Sequence, residues 1–383
     1  MRVALFTDLG LAEAFMFGDV DCENISSLIQ ILIANRRELL SETDTMLASF
    51  LSKGRSLTSN KFFGNLGNSR ANISAHYDLG NTMFSAFLSE DMNYSSAIFK
   101  NYNEDLDPTT TERESLNEAQ LRKVRLVLNK AKIQAGQRVL EIGTGWGCLA
   151  ILAAKTFGCT VETVTLSSNQ AVLARKRIEE ANLSNQITVH CMDFRECRLK
   201  PDWAASFDAF ISVEMIEHVG KDFFTDYWAV ADWALKLDTG VGVVQGITIP
   251  EARVASYDVS VDFVQKWVIF PGGYLPCFSF WVQTLKEGSA GRLVVDSVLN
   301  IGPQYARTLR EWKRRFLANW EGVVAKALME QYNLDAKSLE VFRRKWICAD
   351  YCEAAFKTRT LGDHIVTFTR EGHVAFGCDV EVH

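Results

Sequence analysis

The sequence predicts an α/β fold, a mostly parallel seven-stranded sheet with helices on both faces. Three observations carry that prediction. After Gly136 short apolar runs alternate with helix-like stretches, one strand-to-helix junction is a glycine loop, and two further apolar runs close the chain. Such alternation is the pattern of strand–helix–strand units rather than of a helical bundle or an all-β sandwich. In order, residues 139–142 read as the first strand, followed by the glycine loop and a helix over 148–157. Residues 161–165 form the second strand and lead into a helix over 168–182. Strands three to five fall at 187–191, 207–213 and 241–249, and 292–300 with 364–369 make a closing pair. Ahead of the sheet, Ser115 and Glu118 have capping-box spacing, and Leu121, Val124, Leu128 and Ala131 recur at helical intervals. Residues 1–60 read as a small helical N-terminal subdomain, with an apolar stretch at 25–40 that contains Arg36 and Arg37. A polar Gly/Asn/Ser connection at 64–69 then opens the main domain, 61–383, whose first part (61–133) forms a helical cap.

Composition narrows the function classes. With 48% hydrophobic and 23% charged residues the 383-residue chain has the makings of a folded core. A net charge of −6 argues against nucleic acid as partner, because neutralising phosphates takes a basic surface. Local basic stretches at 122–125 and 307–315 are candidates for a membrane-facing patch, the plain alternative being the solvated side of a helix. No run of eighteen apolar residues suggests a membrane span, and the first residues are too short an apolar run for a signal peptide. Nine cysteines without a CxxC pair, and no histidine at ligand spacing, predict a reduced, cytoplasmic protein with no metal site. Cys348 and Cys352 are expected to be packed residues.

The glycine loop is Glu141-Ile142-Gly143-Thr144-Gly145-Trp146-Gly147. Glycines there let the chain turn sharply and bring its backbone against a ligand at the carboxyl end of the sheet. The dinucleotide fingerprint is G-x-G-x-x-G, but this loop has Cys148 where the third glycine would fall. Glu141 suits a cationic cofactor better than a polyphosphate, which points to S-adenosylmethionine. The second strand ends at Thr165-Leu166-Ser167 rather than at an acid. Hydroxyls of Thr165 or Ser167, with Gln170, are candidates to hold a ribose, against the simpler reading of a helix cap. Asp193 is placed to accept from an adenine amino group, or is an ordinary loop-start aspartate.

Two further stretches are Ile73-Ser74-Ala75-His76-Tyr77-Asp78-Leu79-Gly80-Asn81, continuing to Met92-Asn93-Tyr94-Ser95-Ser96, and Ser212-Val213-Glu214-Met215-Ile216-Glu217-His218-Val219-Gly220. With the glycine loop, and with Phe270-Pro271-Gly272-Gly273 and Lys357-Thr358-Arg359-Thr360-Leu361-Gly362-Asp363, they resemble the cyclopropane fatty acid synthase family, notably its plant-type members. The likeness spans nearly the whole chain. It implies a Rossmann-like class I methyltransferase fold with S-adenosylmethionine held by Tyr94, Ser95, Gly143, Gly145, Thr165, Leu166, Gln170, Asp193 and Val213. It implies a methyl transfer to a cis double bond of an acyl chain, usually in a phospholipid, followed by proton loss and ring closure. Bicarbonate, the family's base, would map onto Ser96, Glu217, Gln245, Ile247 and Tyr305. Peripheral membrane contact follows from such a substrate, and a homodimer is one option for assembly.

The chemistry of the residues agrees. An alkene is a poor nucleophile, so the reaction needs a dry pocket, alignment and stabilisation of positive charge. Tyr77, Phe270 and Tyr274 are candidate cation-stabilising rings, each otherwise a core or lining residue. Glu217 could hold the base or act as one, and Tyr305 could donate to an oxyanion. Ser96 and Gln245 stand where bacterial members commonly have Cys and His. Glutamine keeps a donor but carries no proton, which makes the fate of the cation the open point. A related C-methyltransferase giving methyl or methylene branches is the competing expectation, and a non-catalytic lipid-binding relative the third.

Overall fold

The computed structural model describes residues 2–35, 80–259, 263, 273–348 and 351–377. The linker at 64–69 and two of the three candidate cation-stabilising rings, Tyr77 and Phe270, lie outside them. Helices α1 (Arg2–Met16) and α2 (Ile25–Ala34) come first, then α3 (Asn81–Phe87) and α4 (Leu116–Lys130). The sheet domain follows as β1 (Arg138–Ile142), α5 (Cys148–Phe157), β2 (Thr160–Thr165), α6 (Ser168–Glu180), β3 (Ile187–Cys191), β4 (Ala209–Val213), α7 (Phe224–Ala234) and β5 (Val241–Thr248). The remainder is α8 (Phe278–Gly288), β6 (Leu293–Asn300), α9 (Gly302–Ala318), α10 (Ala325–Tyr332), α11 (Ala336–Cys348), α12 (Tyr351–Lys357) and β7 (Gly362–Arg370).

The seven strands lie in the order β3-β2-β1-β4-β5-β7-β6. Strands β1 to β5 are mutually parallel, while β7 runs antiparallel between β5 and β6. Burial on both faces explains why β5 is largely apolar, with every residue buried, Gln245 and Thr248 included. Order reverses between β1 and β4, and an open α/β sheet binds its ligand at the carboxyl ends of the strands at such a point. One face carries an aromatic core that includes Trp203, Phe210, Tyr227, Trp228, Trp281 and Phe368. The other packs α4, α5 and α6 through small and branched residues such as Val127, Ala150, Ala153 and Ile178. A third cluster roofs the carboxyl edge with Phe84, Phe87, Trp146, Tyr305, Trp312, Phe316 and Trp320.

Helix α4 opens on the expected capping box. Ser115 Oγ accepts from the Glu118 N–H at 3.2 Å and Glu118 Oε2 accepts from the Ser115 N–H at 3.2 Å. Of the N-terminal subdomain expected over 1–60, residues 36–60 lie outside the described ones; α1 and α2 share their core with the C-terminal helices, where Leu9, Phe15, Ile25 and Ile29 meet Cys348 and Ala354. Cys348 and Cys352 are both buried, as expected of packed residues.

Several cations of the basic stretches face inward, although Arg125 and Arg314 are exposed. Lys123 is fully buried, and Arg122 donates to the Ile98 carbonyl at 2.7 Å. Arg307 is also fully buried, with Glu104 at 3.1 Å and its guanidinium 4.1 Å from the Phe99 ring centroid. Arg310 pairs with Asp105 at 2.6 Å and with Glu353 at 3.2 Å. These cations tie α4 and α9 to the segment between α3 and α4, so counting charge along the chain misassigned them.

Candidate active site

The loop between β1 and α5 is built by its glycines. Gly143 has φ +106 and Gly147 φ +86, conformations that side chains rarely tolerate. The N–H groups of Gly143 and Thr144 both donate to the Val164 carbonyl, at 2.9 and 3.1 Å, which pins the loop to β2. A cavity lies against this loop. Of the nine residues expected to hold S-adenosylmethionine, eight line the cavity: Tyr94, Ser95, Gly143, Gly145, Thr165, Leu166, Gln170 and Val213.

Asp193 is the ninth and stands behind the wall formed by its neighbours Met192 and Phe194. It caps the short helical turn after β3, and its carboxylate is taken by Arg195 at 2.7 and 2.8 Å. Ser167 caps α6 by accepting from the Gln170 N–H at 3.2 Å, while Thr165 Oγ1 donates to Gln170 Oε1 at 3.0 Å. Glu141 lines the cavity and accepts from Thr163 Oγ1 at 2.6 Å; burial raises its pKa to about 8. A cationic ligand beside it would draw it back towards the ionised form. His218 lines the same cavity and is held neutral, burial lowering its pKa to about 4. This arrangement fits S-adenosylmethionine: a glycine-lined wall, an acid at its back, and aromatic and hydroxyl groups at the mouth.

Three of the five residues expected around bicarbonate converge, but on another group, and the other two pair with each other. The carboxylate of Glu214, at the end of β4, accepts from the Ser96 N–H at 2.8 Å and from Gln245 Nε2 at 2.9 Å through one oxygen. Its other oxygen accepts from the Tyr305 hydroxyl at 2.6 Å. The Ile247 N–H donates to Glu217 Oε1 at 2.5 Å, and the Ser96 hydroxyl to the Ala97 carbonyl at 3.2 Å. Every donor assigned to the anion therefore already has an acceptor. The buried atoms left without a protein partner here are oxygens: Glu217 Oε2, Gln245 Oε1 and Asp363 Oδ1. The Ser96 N–H, Gln245 Nε2 and the Tyr305 hydroxyl are held by Glu214, so bicarbonate would have to displace that carboxylate to use them.

Tyr305 is buried, stacked on Phe356 at 4.3 Å and 11°, and burial with the Glu214 charge holds its hydroxyl protonated. Glu217 is fully buried and its pKa is raised to about 8 by desolvation and the nearby Glu214. Tyr274 donates its N–H to the Glu217 carbonyl at 2.8 Å, but its ring packs on Phe224 and Phe280, with Lys221 Nζ 5.0 Å from its centroid. Its π face is thus already met by a lysine. Glu214, Asp363 and Lys123 went unnoticed as site residues in the sequence. Glu214 has φ +47, rare for a non-glycine residue, and such backbone strain concentrates at functional sites. Among the described residues no cluster of metal-ligating side chains occurs.

With this geometry in hand, comparison with known proteins is decisive. The profile of the family described as mycolic acid cyclopropane synthetase matches residues 65–360. The chain belongs to that family. It is 33% identical over 373 residues to the tuberculostearic acid methyltransferase UfaA1 of Mycobacterium tuberculosis, covering 95% of this chain and 79% of that one. Identity to the cyclopropane-fatty-acyl-phospholipid synthase of Escherichia coli K12 is 30%, covering 96% and 85%. Among solved structures, the cyclopropane synthase MmaA2 of Mycobacterium tuberculosis superposes with a TM-score of 0.63 at 25% identity, covering 79% of this chain and 98% of that one. Coclaurine N-methyltransferase reaches a TM-score of 0.69 at 18% identity, over 94% and 99%, which speaks for the fold alone. The family member described here is an S-adenosylmethionine-dependent C-methyltransferase of class I fold.

Proposed function

We propose that the protein forms cyclopropane fatty acids, placing a methyl carbon on a cis double bond of an acyl chain in a phospholipid. One observation carries this reading. The cofactor cavity ends at a buried carboxyl centre, Glu214 being in both, beneath the aromatic roof of Phe84, Phe87, Tyr305 and Trp312. Heteroatom methylation does not need so dry a setting, because a lone pair attacks readily. An alkene does, since water would compete for the cation that forms.

S-adenosylmethionine, when bound, supplies an electrophilic methyl group on a sulfonium. The residues of the chain do the rest. The glycine wall orients the donor, the apolar roof excludes water, and the ring of Tyr94 packs at the cavity mouth, 5.1 Å from that of Trp312. A buried carboxylate beside the reacting carbons stabilises the positive charge that develops there. Proton loss from the transferred methyl and ring closure complete the product. A second reading draws support from the 33% identical relative named as a tuberculostearic acid methyltransferase. There the cation would leave an unsaturated branch instead of a ring. Among the described residues no helix is long and apolar enough to cross a membrane. Access to the lipid is therefore proposed to be peripheral and reversible.

The test is to incubate the purified protein with methyl-labelled cofactor and vesicles of either cis-unsaturated or fully saturated phosphatidylglycerol. Label in the acyl fraction of the unsaturated lipid alone is the expected result. Label in head groups, or equal label in both lipids, would overturn the reading.

A further inference from the structure

The carboxyl centre holds more acid than it can ionise. Glu217 and Asp363 are fully buried and Glu214 is half-buried where it lines the cavity; they come from the turn after β4 and the start of β7. Gln245 Nε2 bridges two of them, donating to Glu214 Oε1 and to Asp363 Oδ2, each at 2.9 Å. Lys123 of α4 is the cation facing the group among the described residues; its ammonium donates to Ser95 Oγ. Tyr305 of α9 faces it as a neutral donor. Three acids with one buried lysine for countercharge cannot all be ionised in so apolar a site.

The protons can be placed from the donors. Glu214 accepts three hydrogen bonds, which favour its anion over that of either neighbour. Asp363 accepts one, and its Oδ1 meets no protein donor. Burial together with the charge of Glu214 pushes Asp363 well above the usual carboxylate range. Glu214 also sits where a base is needed, since it lines the cofactor cavity. In addition, its backbone is held by donation from its own N–H to the Gln245 carbonyl at 2.8 Å. Desolvation raises Glu214 as well, but the Tyr305 and Ser96 donors and Lys123 pull it back, so the acid that ionises first faces the reaction and the protonated one stands behind it.

We propose that Glu214 is the general base of the reaction, doing with a side chain what the wider family is expected to do with bound bicarbonate, and that Asp363 is its proton-holding partner. This rests on the reading that the substrate is an alkene. The balance is simple. The donor's C–S bond breaks as a C–C bond forms to one alkene carbon, leaving the other cationic. A C–H bond of the transferred methyl then breaks; its electron pair closes the ring and its proton goes to Glu214. Glu214 gives that proton up to solvent when the site reopens, while Asp363 keeps its own and the Gln245 amide holds the two carboxyls in place. Glu214 is thereby a catalytic residue and Asp363 a positioning residue.

The positive φ at 214 supplies the test, because glycine relieves that backbone strain and opens the space a small anion would need. Rates of acyl methylation are measured in bicarbonate-stripped buffer and again with bicarbonate added. The wild-type rate is expected to be the same in both. Glu214→Gln, equal in volume, is expected to lose at least about 100-fold in both, the usual scale of a lost general base. Glu214→Gly is expected to be inactive when stripped and to regain activity with bicarbonate. Thermal melting and S-adenosylhomocysteine binding confirm that each variant is folded. Infrared difference spectra should show a protonated carboxylic acid at neutral pH that Asp363→Asn removes. A wild-type rate that depends on bicarbonate, or a fully active Glu214→Gln, overturns the role of Glu214; a spectrum unchanged by Asp363→Asn overturns that of Asp363. A wild-type protein that methylates no unsaturated lipid would instead defeat the reading beneath.

Discussion

Replacing Gly143 by alanine should weaken the cofactor far more than so small a change suggests. At φ +106 the residue lies beyond the left-handed helical region that other residues can visit, at a cost on the order of 1–3 kcal/mol. A methyl group there would also stand 3.1 Å from Met215 Cβ and 3.3 Å from its Cγ. Met215 follows Glu214 in the turn after β4, so it has little freedom to retreat. The loop would relieve the strain by shifting, taking the wall of the cavity with it. Strain of about 1–3 kcal/mol corresponds to roughly a 5- to 150-fold loss of affinity. Gly145→Ala is the control. Its φ of +52 lies in the left-handed region, costing roughly 1–2 kcal/mol, and nothing lies within 4 Å of the added carbon. Calorimetric titration with S-adenosylhomocysteine reads both variants, with thermal melting to confirm folding. A Gly143→Ala protein that binds within twofold of wild type, or no worse than Gly145→Ala, would refute the reasoning.

Two further predictions concern stability. Glu217 has a folded-state pKa of about 8 against an ordinary value of 4.5. Between those values the unfolded chain ionises while the folded one keeps its proton, so stability falls as pH rises through that window. Glu217→Gln cannot titrate, and its melting temperature relative to wild type should climb from pH 5 to pH 8; a constant difference would contradict the assignment. Arg307→Met removes a fully buried guanidinium that donates to Asn101 and Glu114 carbonyls and to Glu104, and should cost about 3 kcal/mol in urea unfolding. An unchanged midpoint would mean that these ties are idle.

The strands of the sheet were legible because parallel strands buried on both faces are dense in branched apolar residues. Strand β3 falls where expected, and β1, β2, β4 and β5 differ by one or two residues at an end. Helix α5 was legible because the glycines that build the cofactor loop also announce its start. What remained hidden depends on contacts between distant segments. Lys123 looked like part of a solvated basic run, yet it points inward beside Gln120 and Val127. Asp193 had the right place for a ligand contact, but an arginine two residues away claims its carboxylate. Glu214 was visible as a letter in a motif. Its role appears only when Ser96, 118 positions earlier, Gln245, 31 later, and Tyr305, 91 later, all donate to it. One signal was present: Gln245 cannot carry a proton, and two acids, Glu214 and Glu217, stand in one largely apolar motif. Together they suggest that the proton acceptor belongs to the chain.

The most direct measurement is a carbon NMR spectrum of acyl chains recovered after reaction of cis-unsaturated phospholipid with cofactor labelled at the methyl carbon. The account predicts that the label appears as a ring methylene bonded to both former alkene carbons. Label in an exocyclic alkene carbon would assign the branching reaction instead. Label on oxygen or nitrogen of a head group, with none in the chain, would contradict the central claim of carbon methylation at a lipid double bond.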